Sequence, residues 1–212
     1  MDPTIGPAVP LDDDLLRRIR AGDQEAFGTV YERCQRPIYR FALHMSGRKP
    51  VAEDVTQEAF MALIGNNCSF DSSKGTLGAY LFGVARKHLL RHWEKEGLYV
   101  SLPAEEEFPA PPARANGNHH QNLIVLPVDL ERNERIGRVR EAILSLPADY
   151  REIVVLCDLQ EMSYEETARI LDCAVGTVRS RLHRARNLLM QKLRDTNNPR
   201  ERFAAGERLA GP

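Results

Sequence analysis

Between residues 97 and 130 the chain carries Pro103, Pro109, Pro111, Pro112 and Pro127, with the acidic run Glu105–Glu107 and the polar run Asn116–Asn122. Proline fixes φ and lacks a backbone N–H, so no regular helix is expected through most of this stretch. Structureless loops beyond about 15 residues are uncommon inside compact domains. The stretch therefore reads as an extended, flexible linker. It splits the chain into residues 11–96 and residues 131–194, with a polar tail at 195–212. The apolar patch Leu123–Leu126 is a candidate docking segment within the linker.

Both flanking units read as helical. In the first, Ala26, Phe27, Val30, Tyr31 and Cys34 recur at helical spacing, and Ile38, Phe41 and Ala42 continue the apolar face after Pro37, which is expected to kink or restart the helix. A second helix from about Val51 buries Val55, Ala59, Phe60 and Leu63 and turns Glu53, Asp54, Gln57 and Glu58 the other way. A loop rich in turn formers, from Gly65 to Gly75, follows. A third helix from about Thr76 carries the stripe Leu77, Tyr80, Leu81, Val84, Ala85, His88, Leu89 and His92, with Arg86, Lys87 and Arg91 off it. One face packs and another is basic. Trp93, the single tryptophan, is expected in the core.

The second unit reads as four helices. One spans about residues 131–146, and Pro147 opens the next, where a missing N–H costs nothing. Ser163 and Glu166 form an S-x-x-E capping box. A short helix bearing Thr167, Ala168, Ile170 and Leu171 follows, then the turn Asp172-Cys173-Ala174. A final helix has Val175, Val178, Leu182, Ala185, Leu189 and Leu193 on its apolar side. A short capped helix, a tight turn and a second helix make a helix-turn-helix, whose second helix lies in the major groove. Over Ser163–Arg194 seven basic residues face three acidic ones, a local net charge of +4 in a chain of net charge -1. Such a concentration favours phosphates through counterion release, and arginine near the helix start matches the guanine edge.

Bulk properties narrow the class. Hydrophobic content of 42% and charged content of 28% suit soluble globular units. Asp12, Asp13 and Asp14 stand where a secretory signal would be basic and then apolar. No apolar run approaches the roughly 20 residues of a membrane span. A cytoplasmic protein without membrane insertion is expected. Cys34, Cys68, Cys157 and Cys173 lack ligand spacing and read as idle thiols, so neither a metal nor a cofactor is expected. None of the nucleotide, nucleophile-elbow or zinc-protease motifs occurs, so no catalytic residue is expected and the chain reads as no enzyme.

The segment 162–193, MSYEETARILDCAVGTVRSRLHRARNLLMQKL, resembles the C-terminal DNA-binding domain of bacterial RNA polymerase sigma factors, especially the extracytoplasmic-function (ECF) group. The resemblance implies that this domain reads the minus-thirty-five promoter element, with Arg179, Ser180, Arg181, His183 and Arg184 facing DNA and Thr177 touching phosphate. Independently, Ala52-Glu53-Asp54-Val55-Thr56-Gln57-Glu58-Ala59-Phe60 resembles the sigma helix that binds the β′ clamp helices of core RNA polymerase. Asp54, Gln57 and Glu58 are then the implied core contacts. Finally, the run from Gly75 to Arg86 resembles the segment that melts and reads the minus-ten element. There Phe70 offers a ring, and Arg86, Lys87 and Arg91 offer charge to a single strand. The family commonly has tryptophan at Tyr80, asparagine at Lys87 and aspartate at Arg91, departures that leave the minus-ten sequence preference open while keeping the surface basic.

The expected fold class is thus all-α: a sigma-type N-terminal bundle and a four-helix C-terminal domain with the helix-turn-helix, joined by the linker. Implied partners are core RNA polymerase (through the β′ clamp helices and the β subunit), promoter DNA and an anti-sigma factor covering both domains. By the same resemblance the linker threads the polymerase near the RNA path, with Glu105, Glu106 and Glu107 mimicking nucleic acid. The rival reading is a helix-turn-helix regulator that binds operators without polymerase; a third is an interaction protein that never meets DNA. The Asp54-x-x-Gln57-Glu58 pattern ahead of the basic unit favours the sigma reading over both.

Overall fold

The computed structural model describes residues 12–65, 68–97 and 127–196, with side chains described except at 127–131, 195 and 196. The regular structure of the described residues is helical throughout. Most of the proline-rich stretch, including Glu105–Glu107 and Leu123–Leu126, lies outside them, as does most of the polar tail.

Helix α1 (Asp12–Arg20) has aspartates in its first turn and arginines in its last, matching the helix dipole at both ends. Asp23 caps α2 (Gln24–Ser46), accepting from the N–H groups of Glu25 at 2.9 Å and Ala26 at 3.2 Å. At Pro37, where a kink or restart was expected, the helix does not restart: α2 is one helix from Gln24 to Ser46 with Pro37 inside it. Ala26, Val30 and Cys34 before the proline, and Ile38, Phe41, Ala42 and Met45 after it, are all buried. Burial of one continuous stripe outweighs the roughly 3 kcal/mol that an internal proline costs. Gly47 ends the helix at φ 70°, its N–H donating to Leu43 O at 2.8 Å, a left-handed cap that suits glycine.

Helix α3 (Lys49–Ile64) starts with Pro50 in its first turn. A single 3-10 turn at Ser72–Lys74 precedes α4 (Leu77–Lys95). Thr76 caps α4 by accepting from Ala79 N–H at 3.1 Å, and the Leu77 N–H reaches back to Asp12 Oδ2 at 2.6 Å. Phe41 and Phe82 meet edge to face at 5.4 Å in the core of this bundle, and Trp93 is buried as expected.

In the second unit α5 (Pro127–Leu144) begins ahead of the expected start at 131, with Pro127 as its first residue. Helix α6 (Ala148–Val154) runs on into a π-helical turn at Val155–Leu159. Helices α7 (Tyr164–Leu171) and α8 (Val175–Thr196) complete it. Buried apolar residues of both units join in one cluster, α2 lying against α5 and α6 and α4 against α7. Among the described residues no helix is long and apolar enough to cross a membrane.

Candidate functional site

On α3 the alternation of exposed and buried residues is strict. Val51, Ala52, Val55, Thr56, Ala59, Phe60 and Leu63 are buried, while Glu53, Asp54, Gln57 and Glu58 are exposed. The buried Thr56 hydroxyl is satisfied within the helix, donating to Ala52 O at 2.6 Å. A groove of about 630 Å³ borders this acidic face, lined by Phe27, Tyr31, Phe60, Met61 and Ile64 among others. Its rings are in contact, Tyr31 and Phe60 at 4.8 Å and Phe27 and Phe60 at 6.1 Å. Tyr31 lies on the stripe expected to be buried, yet it is 42% exposed, and Met61 and Ile64 are more than half exposed. The legible signal was Met61 and Ile64, apolar residues lying off the buried stripe of α3. An acidic rim beside an apolar groove suits a partner helix bearing basic and apolar side chains.

The loop before α4 is anchored from several sides. Arg20 donates to Cys68 O at 2.7 Å, and Asp71 accepts from the Ser73 N–H at 3.0 Å and the Ser73 hydroxyl at 2.7 Å. Phe70 is half-buried and meets Tyr80 edge to face at 5.8 Å, so its ring packs on α4. Lys87 and Arg91, four apart on α4, are exposed on one side. They bear on the half-buried His88, whose pKa is pushed down chiefly by burial, with Arg91 and Lys87 adding to this and Glu58 opposing it. Arg86 is placed differently: its Nε donates to both carboxylate oxygens of Glu152, at 3.0 and 3.1 Å, across the contact between the two units.

The capping box of α7 is complete. Ser163 Oγ accepts from the Glu166 N–H at 3.2 Å, and the Glu166 carboxylate accepts from the Ser163 N–H at 3.2 Å. Asp172, at φ 52°, makes the left-handed turn, a conformation that aspartate tolerates better than most residues. Ser163→Ala removes the bonds made by the Ser163 hydroxyl and leaves the bond from the residue 163 N–H to Glu166, and a loss of about 1 kcal/mol is expected. Urea melts should show a lower midpoint with an unchanged slope, and Ser163→Thr should restore most of it.

Helix α8 buries Val178, Leu182 and Ala185 and leaves Arg179, Ser180, His183 and Arg184 exposed; Thr177 and Arg181 are half-buried. Arg179 lies over the Tyr164 ring at 5.9 Å, and Ser180 Oγ donates to Thr177 O at 3.1 Å. Arg181 faces inward, close enough for its charge to bear on Glu152. Arg186 is engaged at the back of the helix, its fork on Asp158 at 2.5 and 3.1 Å. Sequence reasoning passed over Arg151 and Glu152. The Arg151 guanidinium donates to Met45 O at 2.6 Å, to Leu146 O at 2.9 Å and to Leu144 O, tying the ends of α2 and α5 together. All four cysteines are free, and Cys34 and Cys68 are buried. Among the described residues no cluster of metal-ligating side chains forms.

Two family descriptions match the chain, Sigma-70 region 2 over residues 30–98 and Sigma-70, region 4 over residues 136–189. The ECF RNA polymerase sigma factor SigW of Bacillus subtilis is 32% identical over 185 residues, covering 85% of this chain and 95% of the relative. Among solved structures, the sigma factor RpoE in complex with the anti-sigma factor NepR from Bartonella quintana aligns with a TM-score of 0.56 at 27% identity, covering 79% of this chain and 96% of that one. CnrH, in complex with the cytosolic domain of CnrY, aligns with a TM-score of 0.62 at 22% identity, over 88% of this chain and 99% of that one, a likeness of fold.

Proposed function

Since this chain belongs to the ECF RNA polymerase sigma factors, which bring core polymerase to promoters and start transcription, we propose how its surfaces divide that work. Asp54, Gln57 and Glu58, with the adjoining groove, form the docking face for the β′ clamp helices, and the β subunit is a further contact. Arg179, Ser180, His183 and Arg184 of α8, with Thr177 at its start, read the minus-thirty-five element. Arg181 adds charge from a half-buried position. Phe70, Lys87 and Arg91, joined by Arg86 when it is released from Glu152, bind the melted minus-ten strand. An anti-sigma factor is a further partner, as NepR is of the sigma factor RpoE. The protein works in the cytoplasm beside the polymerase and supplies binding energy, with the chemistry left to that enzyme.

The observation that carries this reading is the pairing in one chain of an exposed acidic-amide helix face with a capped helix-turn-helix whose second helix exposes arginine. An operator-binding regulator has no use for the first of these. The test is transcription from a promoter library by purified core polymerase with and without this protein. New starts sharing a two-part upstream motif are expected. Arg184→Ala should weaken promoter affinity by about 1–3 kcal/mol and relax preference in the upstream element. Footprinting by the protein alone, with no polymerase-dependent starts, would sink the assignment.

A further inference from the structure

One ring serves two arginines of α8. Tyr164 opens α7 directly after the capping Ser163, and its half-buried ring packs against the core. Arg179 and Arg186 are two helical turns apart, so they share a face of α8. The Arg179 guanidinium lies over the ring, 5.9 Å from its centroid. Arg186 is closed on Asp158, a carboxylate displayed by the π-helical turn at Val155–Leu159. That hydrogen bond is the main reason the Arg186 pKa stands above the ordinary arginine value, and Tyr164 is near enough to add to it. Asp158 thereby offsets the second cation, which would otherwise repel the first from the ring.

We propose that Tyr164 is a positioning residue for recognition of the upstream promoter element: its ring holds the Arg179 guanidinium in place, so that the fork is ordered before DNA arrives. This rests on the reading of α8 as the helix that contacts that element. An arginine discriminates guanine by meeting O6 and N7 together, which demands one orientation of its fork. Ordering a long side chain on binding costs affinity, and a side chain ordered beforehand avoids that cost. A ring face attracts a guanidinium through its quadrupole and takes up none of its N–H donors in ordinary hydrogen bonds. The fork therefore stays free for a base. A carboxylate would hold Arg179 as firmly but would occupy the donors and cancel the charge, as Asp158 does for Arg186. The two arginines of one face thus have different tasks. Arg186 ties α8 to the π-helical turn, and Arg179 is kept for DNA.

The experiment uses holoenzyme assembled from core polymerase and the full chain. Its affinity is measured for duplexes of a promoter taken from the library transcription, each carrying one base-pair change in the upstream element. Tyr164→Leu, Tyr164→Phe, Arg179→Ala and the double variant of Tyr164→Leu with Arg179→Ala are compared, each first shown by circular dichroism to be folded. Tyr164→Met, which also lacks the ring, replaces a leucine variant that does not fold. Arg179→Ala is expected to reduce the preference at one base pair by about tenfold or more. Tyr164→Leu should reduce it at that same pair by about two- to fivefold, the range of an exposed cation–π contact, and leave the other positions unchanged. Tyr164→Phe keeps the ring and should keep the preference. On the Arg179→Ala background, Tyr164→Leu should have no further effect. No loss in Tyr164→Leu, an equal loss at every position, a loss shared by Tyr164→Phe, or an effect that persists without Arg179 would each overturn the positioning role while α8 still reads the element. An Arg179→Ala holoenzyme with unchanged preference at every upstream position would overturn both the positioning role and the placement of Arg179 on DNA.

Discussion

Phe41→Ala is expected to lower the unfolding free energy by about 3–5 kcal/mol, the range for truncating a buried aromatic in a core that cannot collapse around the gap. Phe41 has no exposed surface and packs edge to face on Phe82, joining α2 to α4 at the middle of the first bundle. A typical domain is stable by about 5–15 kcal/mol, so the loss removes a large share of the total. Urea titration followed by circular dichroism checks it. Because α2 also touches α5 and α6, the melt should reveal whether the second unit unfolds with the first or survives alone. A change within about 0.5 kcal/mol, the range of an ordinary surface substitution, would mean that the core is looser than the packing of Phe41 implies.

Asp54→Lys has the opposite profile. Asp54 is exposed on α3, so the substitution should leave the melt nearly unchanged. Its effect is expected in the polymerase complex. A lysine set against a basic partner helix replaces attraction with like-charge repulsion, which costs several kcal/mol. Affinity for core polymerase, measured by competition with the wild-type protein, should fall at least about tenfold, with transcription falling in step at limiting protein. Gln57→Ala and Glu58→Ala should each fall less, because truncation removes an attraction without adding a repulsion. Full affinity in Asp54→Lys would move the docking face elsewhere on the chain.

Much of this was legible in the residues, because the signals were local. The capping box at Ser163 and Glu166, the turn at Asp172 and the buried stripe of α8 all follow from spacing within one or two helical turns. The helix through Pro37 was not legible, because the stripe that overrides the proline draws its partners from other helices. Pro127 and Pro147 make the point in a pair. Both stand at helix beginnings, yet one sat among linker prolines and was read with them. Tyr31 obeyed helical periodicity and is still largely exposed, since periodicity gives a direction on the helix and not what lies opposite. Arg86 was legible as basic and off the packed stripe. That its charge would be matched by Glu152, 66 positions further on, depends on how two units meet, which no local pattern encodes.

Two arginines of the second unit, Arg151 and Arg169, end on main-chain carbonyls of the first, those of Met45 and Lys74. A carbonyl is supplied by every residue type, so these acceptors survive any substitution that keeps the backbone path. The side chains of the loop before α4 can therefore diverge while the contact between the two units keeps its register.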